Sequence, residues 1–474
     1  MNNTDMSQKN IQFDLSFESD NRLAASLMQG GFSYLVELDV PSADIQRPQA
    51  LHFVKEQAVE ISALNWVFAL SVNDRSPDHA GCFSTDFLEV LPHNSHKTLV
   101  FTLSGKAQFE DDVKTAVARI KSKGCRNVLA VTGDWAEDEA VGEAGYLDSV
   151  DIVRTVCGFG SDFNVGAVVN PFKYTVLDQY LQYVKMIRKF NEGARYFVSQ
   201  SGWDMKKAQE LQWFLQMREI NVPVFARITF VSPENVERIS DGRLGPGRFI
   251  PLPVCEVLLR EARGSSEEFI DRQLRLLALQ VVGYQKLGFS GVQIAGCHES
   301  RVLKTFYRHI GECEAECSDY NTWLKHWNDE FGGYNLSLNP NPFYLFSNLL
   351  TENGRDPDFM EHPMVGAVLE KPDFHDRFHA WLGKIAAKSG TPEWLRRAVC
   401  RLLNVPEEHL PMFVDTQYLD NAECPKGLFR GPCGNCQPDG ACEVEAVGEC
   451  FFHRVMKMAA LKNRLASLES AQND

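Results

Sequence analysis

The chain has 474 residues, 44% of them hydrophobic, enough to bury a large core together with a smaller domain. Its 48 Lys and Arg against 63 Asp and Glu leave a formal charge of −15, which argues against nucleic acid and against an anionic membrane surface as partners, since both require clustered cations. The polar start MNNTDMSQKNIQFDL has no apolar signal core and no run of about 18 apolar residues follows, so the thirteen cysteines are expected in a reducing cytoplasm.

Taken in chain order, short apolar runs alternate with longer stretches of helical period from residue 32 to about residue 310, the pattern of successive βαβ units in a parallel sheet. Strands are predicted at Phe32–Val40, Trp66–Val72, Thr98–Ser104, Asn127–Asp134, Phe163–Asn170, Tyr196–Ser201, Pro223–Val231 and Gly291–Ala295. Between them, stretches such as Phe109–Gly124 and Met205–Ile220 carry apolar residues at helical spacing and end at or near Gly or Asn. Eight such units predict an α/β fold, a (β/α)8 TIM barrel, over residues 1–310. Ser240–Val254 breaks the rhythm after the seventh strand and reads as an insertion or irregular loop. A doubly wound open sheet is the other arrangement this pattern allows, but no GxGxxG follows any strand.

In such a barrel the chemistry sits at the C-terminal ends of the strands, so polar residues there are the candidates. The first strand ends VELDVP, where Glu37 and Asp39 share a parity. A carboxylate walled by apolar side chains can serve as a general acid near neutral pH; otherwise Glu37 is a buried group paired with a Lys or Arg. The fourth strand ends NVLAVTGD, with Thr132 and Asp134 in phase and Gly133 between them leaving room for a ligand ring. Asp134 alternatively caps the next helix. Gln200 falls in line with Tyr196 and Val198 and offers a donor and an acceptor, either to a ligand or to a loop backbone.

Residues 311–423 lose the repeat and read as a small helical and irregular linker region; residues 424–474 form a Cys-rich module ending in a helix. Cys424, Cys433, Cys442 and Cys450 recur every eight or nine positions among Gly and Pro, with Cys436 three residues after Cys433. Thiolates in this setting read first as a metal site and only second as disulfides. The expected ligands are Cys424, Cys433, Cys442 and Cys450, holding Zn²⁺ or a [4Fe–4S] cluster, with Zn²⁺ preferred and Cys436 as the substitute ligand. Cys313 and Cys317 read as helix-face thiols and His298 as a loop residue.

The segment CPKGLFRGPCGNCQPDGACEVEAVGEC resembles the Cys-rich C-terminal domain attached to methylenetetrahydrofolate reductase-type proteins, with Asn435 where that pattern has a glycine. RNVLAVTGD and RKFNEGARYFVSQ resemble the barrel of the same family over residues 32–310. The resemblance implies flavin-dependent reduction of 5,10-methylenetetrahydrofolate to 5-methyltetrahydrofolate in one-carbon and methionine metabolism, with FAD or FMN as cofactor and NAD(P)H or a partner protein as electron donor. It makes Glu37 the proton donor that opens the imidazolidine ring, sets Asp134 between flavin and pterin, and gives Gln200 to the pterin. Ser71 and Lys189 become flavin contacts, Lys189 at the phosphates. A homo-oligomer is expected. Phe101 stands where the family has a histidine, and the first strand ends LDVP in place of the family's ending with aromatic residues and two prolines. These departures admit two other functions. One is a non-redox or electron-relay subunit whose pterin-binding barrel docks onto an oxidoreductase; the other is a pterin-dependent methyltransferase barrel.

Overall fold

The structure, a computed structural model, describes residues 21–41, 45–74, 83–91, 97–135, 145–240, 250–352, 354, 357, 370–403 and 405–469. Eight parallel strands form the sheet: β1 Ser33–Leu38, β2 Ala69–Val72, β3 Thr98–Ser104, β4 Asn127–Val131, β5 Asn164–Val169, β6 Tyr196–Ser199, β7 Val224–Thr229 and β8 Gly291–Ala295. Each pairs with the next, and β1 closes the barrel by pairing with β8. The (β/α)8 barrel expected from the sequence is the fold found, and every strand lies within its predicted segment. Of the irregular stretch expected at Ser240–Val254, residues 241–249 lie outside the described residues.

The strands are apolar on both faces because helices cover the outside and side chains fill the inside. Leu35, Ala69, Val100, Leu129, Tyr196, Val198 and Phe225 form the interior cluster, while their alternate neighbours Val36, Leu70, Phe101, Val128 and Phe197 join the helix-facing core. Gly166 of β5 marks how tightly the inside is filled: a Cβ there would lie 2.2 Å from the Tyr196 ring. Tyr196 in turn donates its hydroxyl to Val128 O at 3.1 Å. The interior parity continues upward into polar residues. Glu37 follows Leu35, Ser71 follows Ala69, Gln200 follows Val198, and Arg227 follows Phe225. This switch from apolar to polar within one interior column builds the mouth.

The barrel's packing continues past residue 310. The helix Tyr320–Phe331 buries Trp323, Leu324, Trp327 and Phe331 in the core outside the strands, and Trp323 lies over Gly283, where a Cβ would come within 2.3 Å of the indole. Two further helices, Phe374–Ala387 and Glu393–Leu403, share a core with Phe413 and Phe429. The last helix, Phe451–Leu461, packs with Cys436 and Cys450 against Tyr180, Leu181 and Val184 of the barrel helix Val176–Asn191. Among the described residues, no helix is long and apolar enough to cross a membrane.

Candidate functional site

Four interior side chains form one chain of contacts across the barrel mouth. Glu37 is only 4% exposed, and a carboxylate so far from water needs a partner. Arg227 from β7 supplies it: Nη2 donates to Oε1 at 2.7 Å and Nη1 lies 2.6 Å from Oε2, the two-pronged geometry that suits a guanidinium. Arg227 Nη1 also donates to Gln293 Oε1 at 3.3 Å, and Gln293 Nε2 donates to Ser71 Oγ at 2.9 Å. Beyond the strand ends, His298 Nδ1 stands 3.0 Å from Asp39 Oδ2. That hydrogen bond raises the imidazole pKa above its ordinary value, against the opposing effect of burial. Gln57 clamps Asp39 by bonding both its backbone N–H and its carbonyl at 3.0 Å.

On the opposite side of the mouth, Gln200 Oε1 accepts from Ser201 N–H at 3.1 Å. Thr132 is turned to the following helix, where its hydroxyl donates to Ser149 Oγ at 3.1 Å. Gly133 has φ +93, and the space a Cβ would take is filled by Ser104 Oγ and Lys106. That glycine serves the turn and close packing rather than access for a ring. Asp134 is exposed and accepts Tyr146 OH at its carbonyl, 3.0 Å away. Lys189 lies in the wall, fully covered, with Nζ donating to Val168 O at 2.7 Å. Burial, then the neighbouring Lys185, pulls its pKa down to about 7.

The Cys-rich module sits on this β4–β5 side of the mouth. Lys426 Nζ donates to Gly133 O at 2.8 Å and pairs with Glu443 Oε1 at 2.5 Å. Glu443, 3% exposed in its side chain, also accepts from Trp135 N–H, from Asn435 Nδ2 at 3.1 Å and from Cys433 Sγ at 3.3 Å. Asn435 Nδ2 reaches Asp134 Oδ1 at 3.0 Å. Asn170 Nδ2 donates to Gly434 O at 2.8 Å, and the buried Lys173 to Cys436 O at 2.5 Å. Below, His453 Nε2 meets Asp178 Oδ1 at 2.7 Å. Burial alone would lower the His453 pKa; Asp178 and Glu449 outweigh it and carry it up to about 9.

Within the module Cys436 is the hub. Its thiol hydrogen-bonds to Cys450, which together with burial pushes its pKa well up. Cys433 and Cys442 both feel its charge, and Cys424 neighbours Cys442. Among the described residues, no three of these sulfurs lie within 4.8 Å of one another. A tetrahedral zinc with bonds of about 2.3 Å would set its sulfurs roughly 3.8 Å apart, so the arrangement is wider than zinc requires.

Residues 81–242 match the family model described as Methylenetetrahydrofolate reductase, and residues 415–474 match the one described as Methylene-tetrahydrofolate reductase C terminal. The two matched segments together resemble a methylenetetrahydrofolate reductase segment joined to that family's C-terminal domain. A curated relative, Methylenetetrahydrofolate reductase 1 of Schizosaccharomyces pombe, is 30% identical over 122 residues, 24% of this chain and 20% of the relative. The match thus spans about a fifth of that relative's length. Among solved structures, a Clostridium thermocellum protein that binds two copies of 5-methyl-5,6,7,8-tetrahydrofolic acid aligns with a TM-score of 0.42 at 12% identity, over 61% of this chain and 98% of that one.

Of the residues that the methylenetetrahydrofolate reductase resemblance singles out, Glu37, Ser71, Asp134 and Gln200 stand together at one end of the barrel, and Lys189 is apart in the wall. Three participants were missed by the sequence reading. Arg227 shares the interior parity of Phe225, a signal that could have marked it as the partner of Glu37. Asn435 and Glu443 contact Asp134 and Trp135 about 300 positions away and leave no local trace. Asn435→Gly is expected to remove both side-chain bonds and loosen the module at the mouth, read as faster backbone amide exchange at residues 131–135 and 424–436. Exchange as slow as in the wild type would show that Asn435 does not tie the two parts together.

Proposed function

We propose that the barrel mouth holds a one-carbon-substituted folate and that the chain takes part in reducing 5,10-methylenetetrahydrofolate to 5-methyltetrahydrofolate. The observation that carries this reading is the gathering of Glu37, Ser71, Asp134, Gln200 and Arg227 at the C-terminal end of a barrel whose sequence matches the family. With its Oε1 occupied by Ser201, Gln200 keeps its Nε2 N–H groups for an acceptor on the pterin edge. Glu37 is the proton donor to the ring nitrogen: as the ligand exchanges for one Arg227 contact the carboxylate takes up a proton from solvent, and that proton then passes to the nitrogen. Arg227 is then released toward the folate while still balancing the carboxylate.

FAD or FMN, reloaded by NAD(P)H or a protein donor, would supply the hydride. Asp134 suits a flavin at the mouth; Ser71, buried with its Oγ accepting from Gln293, is not open to it, and Lys189 does not suit its phosphates, because its ammonium is enclosed and bonded to Val168 O. That misfit, with Asp134 already tied to the Cys module through Asn435, favours a second reading in which the barrel is an electron-relay or non-redox subunit of an oxidoreductase. In the module the Cys436 and Cys450 thiols stand at hydrogen-bonding distance and, among the described residues, no third sulfur joins them within 4.8 Å; the convergent thiols suit either Zn²⁺ or a [4Fe–4S] cluster, and the second reading takes the cluster because only it is redox-active.

Absorbance of the freshly purified protein separates the two readings: flavin bands support the first, and a folate-binding protein without them supports the second. Under the first, Glu37→Gln is expected to keep folate affinity and to lose about 10²–10⁴-fold in turnover, the usual contribution of a positioned acid. Turnover equal to wild type would remove Glu37 from the reaction.

A further inference from the structure

The helix Phe374–Ala387 turns an unusual face to solvent. Phe374, Phe378 and Trp381 are 80%, 43% and 58% exposed, at the i, i+4, i+7 positions of one stripe. Their rings stack in sequence, 6.3 Å and then 6.0 Å between centroids. Arg377, Lys384 and Lys388 are exposed too and, with Trp381, fall at helical spacing on that same side. Of the carboxylates of this helix, Asp376 is buried and held by Arg454 and Asp373 is exposed at the N-cap, so the three exposed cations Arg377, Lys384 and Lys388 outnumber the one exposed carboxylate. A continuous aromatic stripe of this kind is not the ordinary scatter of surface apolar residues, and aromatics flanked by Arg are the composition of binding hot spots.

The opposite face of the helix meets the Cys module. Ala380 belongs to the core cluster that contains Cys436, Cys450 and Phe451, and Asp376 binds Arg454 of the final helix. The stripe is therefore separated from the cysteines by this helix and by the final helix it packs on, each about 10–12 Å across with its side chains.

We infer that this face docks a small acidic electron-carrier protein, bringing its redox group to within about two helix diameters of the Cys centre. Charge selects the occupant: the stripe is cationic on a chain of net charge −15, so an acidic face around an apolar centre complements it. A second copy docking across a two-fold axis would bring Arg377, Lys384 and Lys388 against themselves. An anionic bilayer would be repelled by the carboxylate excess of the remaining surface. The inference rests on the reading of the cysteines as a redox centre, whereas the docking geometry does not.

The test is calorimetric titration of the full-length protein with a small acidic [2Fe–2S] ferredoxin, at low salt and again at about 0.3 M salt. Binding is expected at low salt, weaker at high salt, and weakened about tenfold or more by Trp381→Ala and by Lys384→Glu with Lys388→Glu. The milder Lys384→Gln with Lys388→Gln guards against misfolding and should weaken binding in the same direction, with circular dichroism unchanged. No ferredoxin binding by the wild type, or binding that these variants leave intact, overturns the inference. So does binding to phosphatidylserine vesicles, or a concentration-dependent dimer, that Trp381→Ala abolishes in place of ferredoxin binding. Iron content measured on the same preparation judges the redox reading of the cysteines separately, so the two failures are distinguishable.

Discussion

Lys207→Met is expected to destabilise the fold by about 3–5 kcal/mol, the cost of stranding one member of a buried ion pair. Lys207 and Glu210 lie one turn apart on the helix Met205–Met217, both fully excluded from solvent, with Nζ 2.9 Å from Oε1. Nζ also donates to Gln179 Oε1 at 3.1 Å and to Phe343 O at 2.8 Å, and stands 4.9 Å from the centre of the Tyr344 ring. Glu210 accepts from the backbone N–H of Leu345. The pair thus fastens the segment around residue 344 to the barrel wall, and losing the cation leaves a carboxylate with no charge to balance it. Burial already raises the Glu210 pKa with Lys207 present; without it the folded state holds the proton more tightly still. A carboxyl with a raised folded pKa contributes stability at low pH that is lost as pH rises, so the deficit should be smaller near pH 5 than near pH 8. Urea midpoints of Lys207→Met at both values measure this. The double variant Lys207→Met with Glu210→Leu should recover much of the loss, since an apolar replacement of the whole pair removes the stranded charge. A wild-type midpoint in the single variant would mean that Glu210 finds another counter-charge.

The barrel was legible because each strand is an apolar run bounded by turn residues and most of the helices between them have a wet face, both local properties. The strand ends were not. Trp66 extends the apolar run of β2 but belongs to the preceding turn, where Val67 N–H bonds Leu64 O at 3.2 Å, and burial in a turn looks the same in sequence as burial in a strand. The helix Tyr320–Phe331 carries its apolar stripe openly, yet nothing local says that Trp323 fits over Gly283. Parity located Glu37 and Gln200 in the mouth, because side chains alternate strictly along a strand. The same reasoning cannot reach Asn435, whose role depends on where a loop of Gly and Pro comes to rest against Asp134. The misplacement of Lys189 has a related cause. It lies on the long helix Val176–Asn191, where nearly every position is buried on one side by the barrel and on the other by the C-terminal module, so no amphipathic pattern distinguishes a mouth-facing lysine from one in the wall.

Cys436→Ser is expected to bring bound metal close to zero, and to do so more completely than Cys424→Ser. Cys436 is 1% exposed and neighbours Cys433, Cys442 and Cys450, whereas Cys424 neighbours Cys442. Its carbonyl is held by Lys173, whose ammonium comes from the loop after β5, so the barrel itself fixes the hub thiol. A set built only on Cys424, Cys433, Cys442 and Cys450 passes over this centre, because spacing weighs sulfurs equally and cannot see which one the fold carries inward. A Ser hydroxyl is a far poorer ligand than a thiolate, and metal binding in so Gly-rich a segment is folding energy for it. Loss of the ion should therefore also make residues 424–450 sensitive to protease while the barrel, with its own core, stays closed. Elemental analysis of anaerobically prepared protein reads the metal directly: iron accompanied by acid-labile sulfide identifies a cluster, and zinc would mean that further thiolates draw in around the Cys436–Cys450 pair when the ion binds. Metal retained in Cys436→Ser but lost in Cys424→Ser would restore the four-cysteine set and leave Cys436 as a buried thiol of the interface.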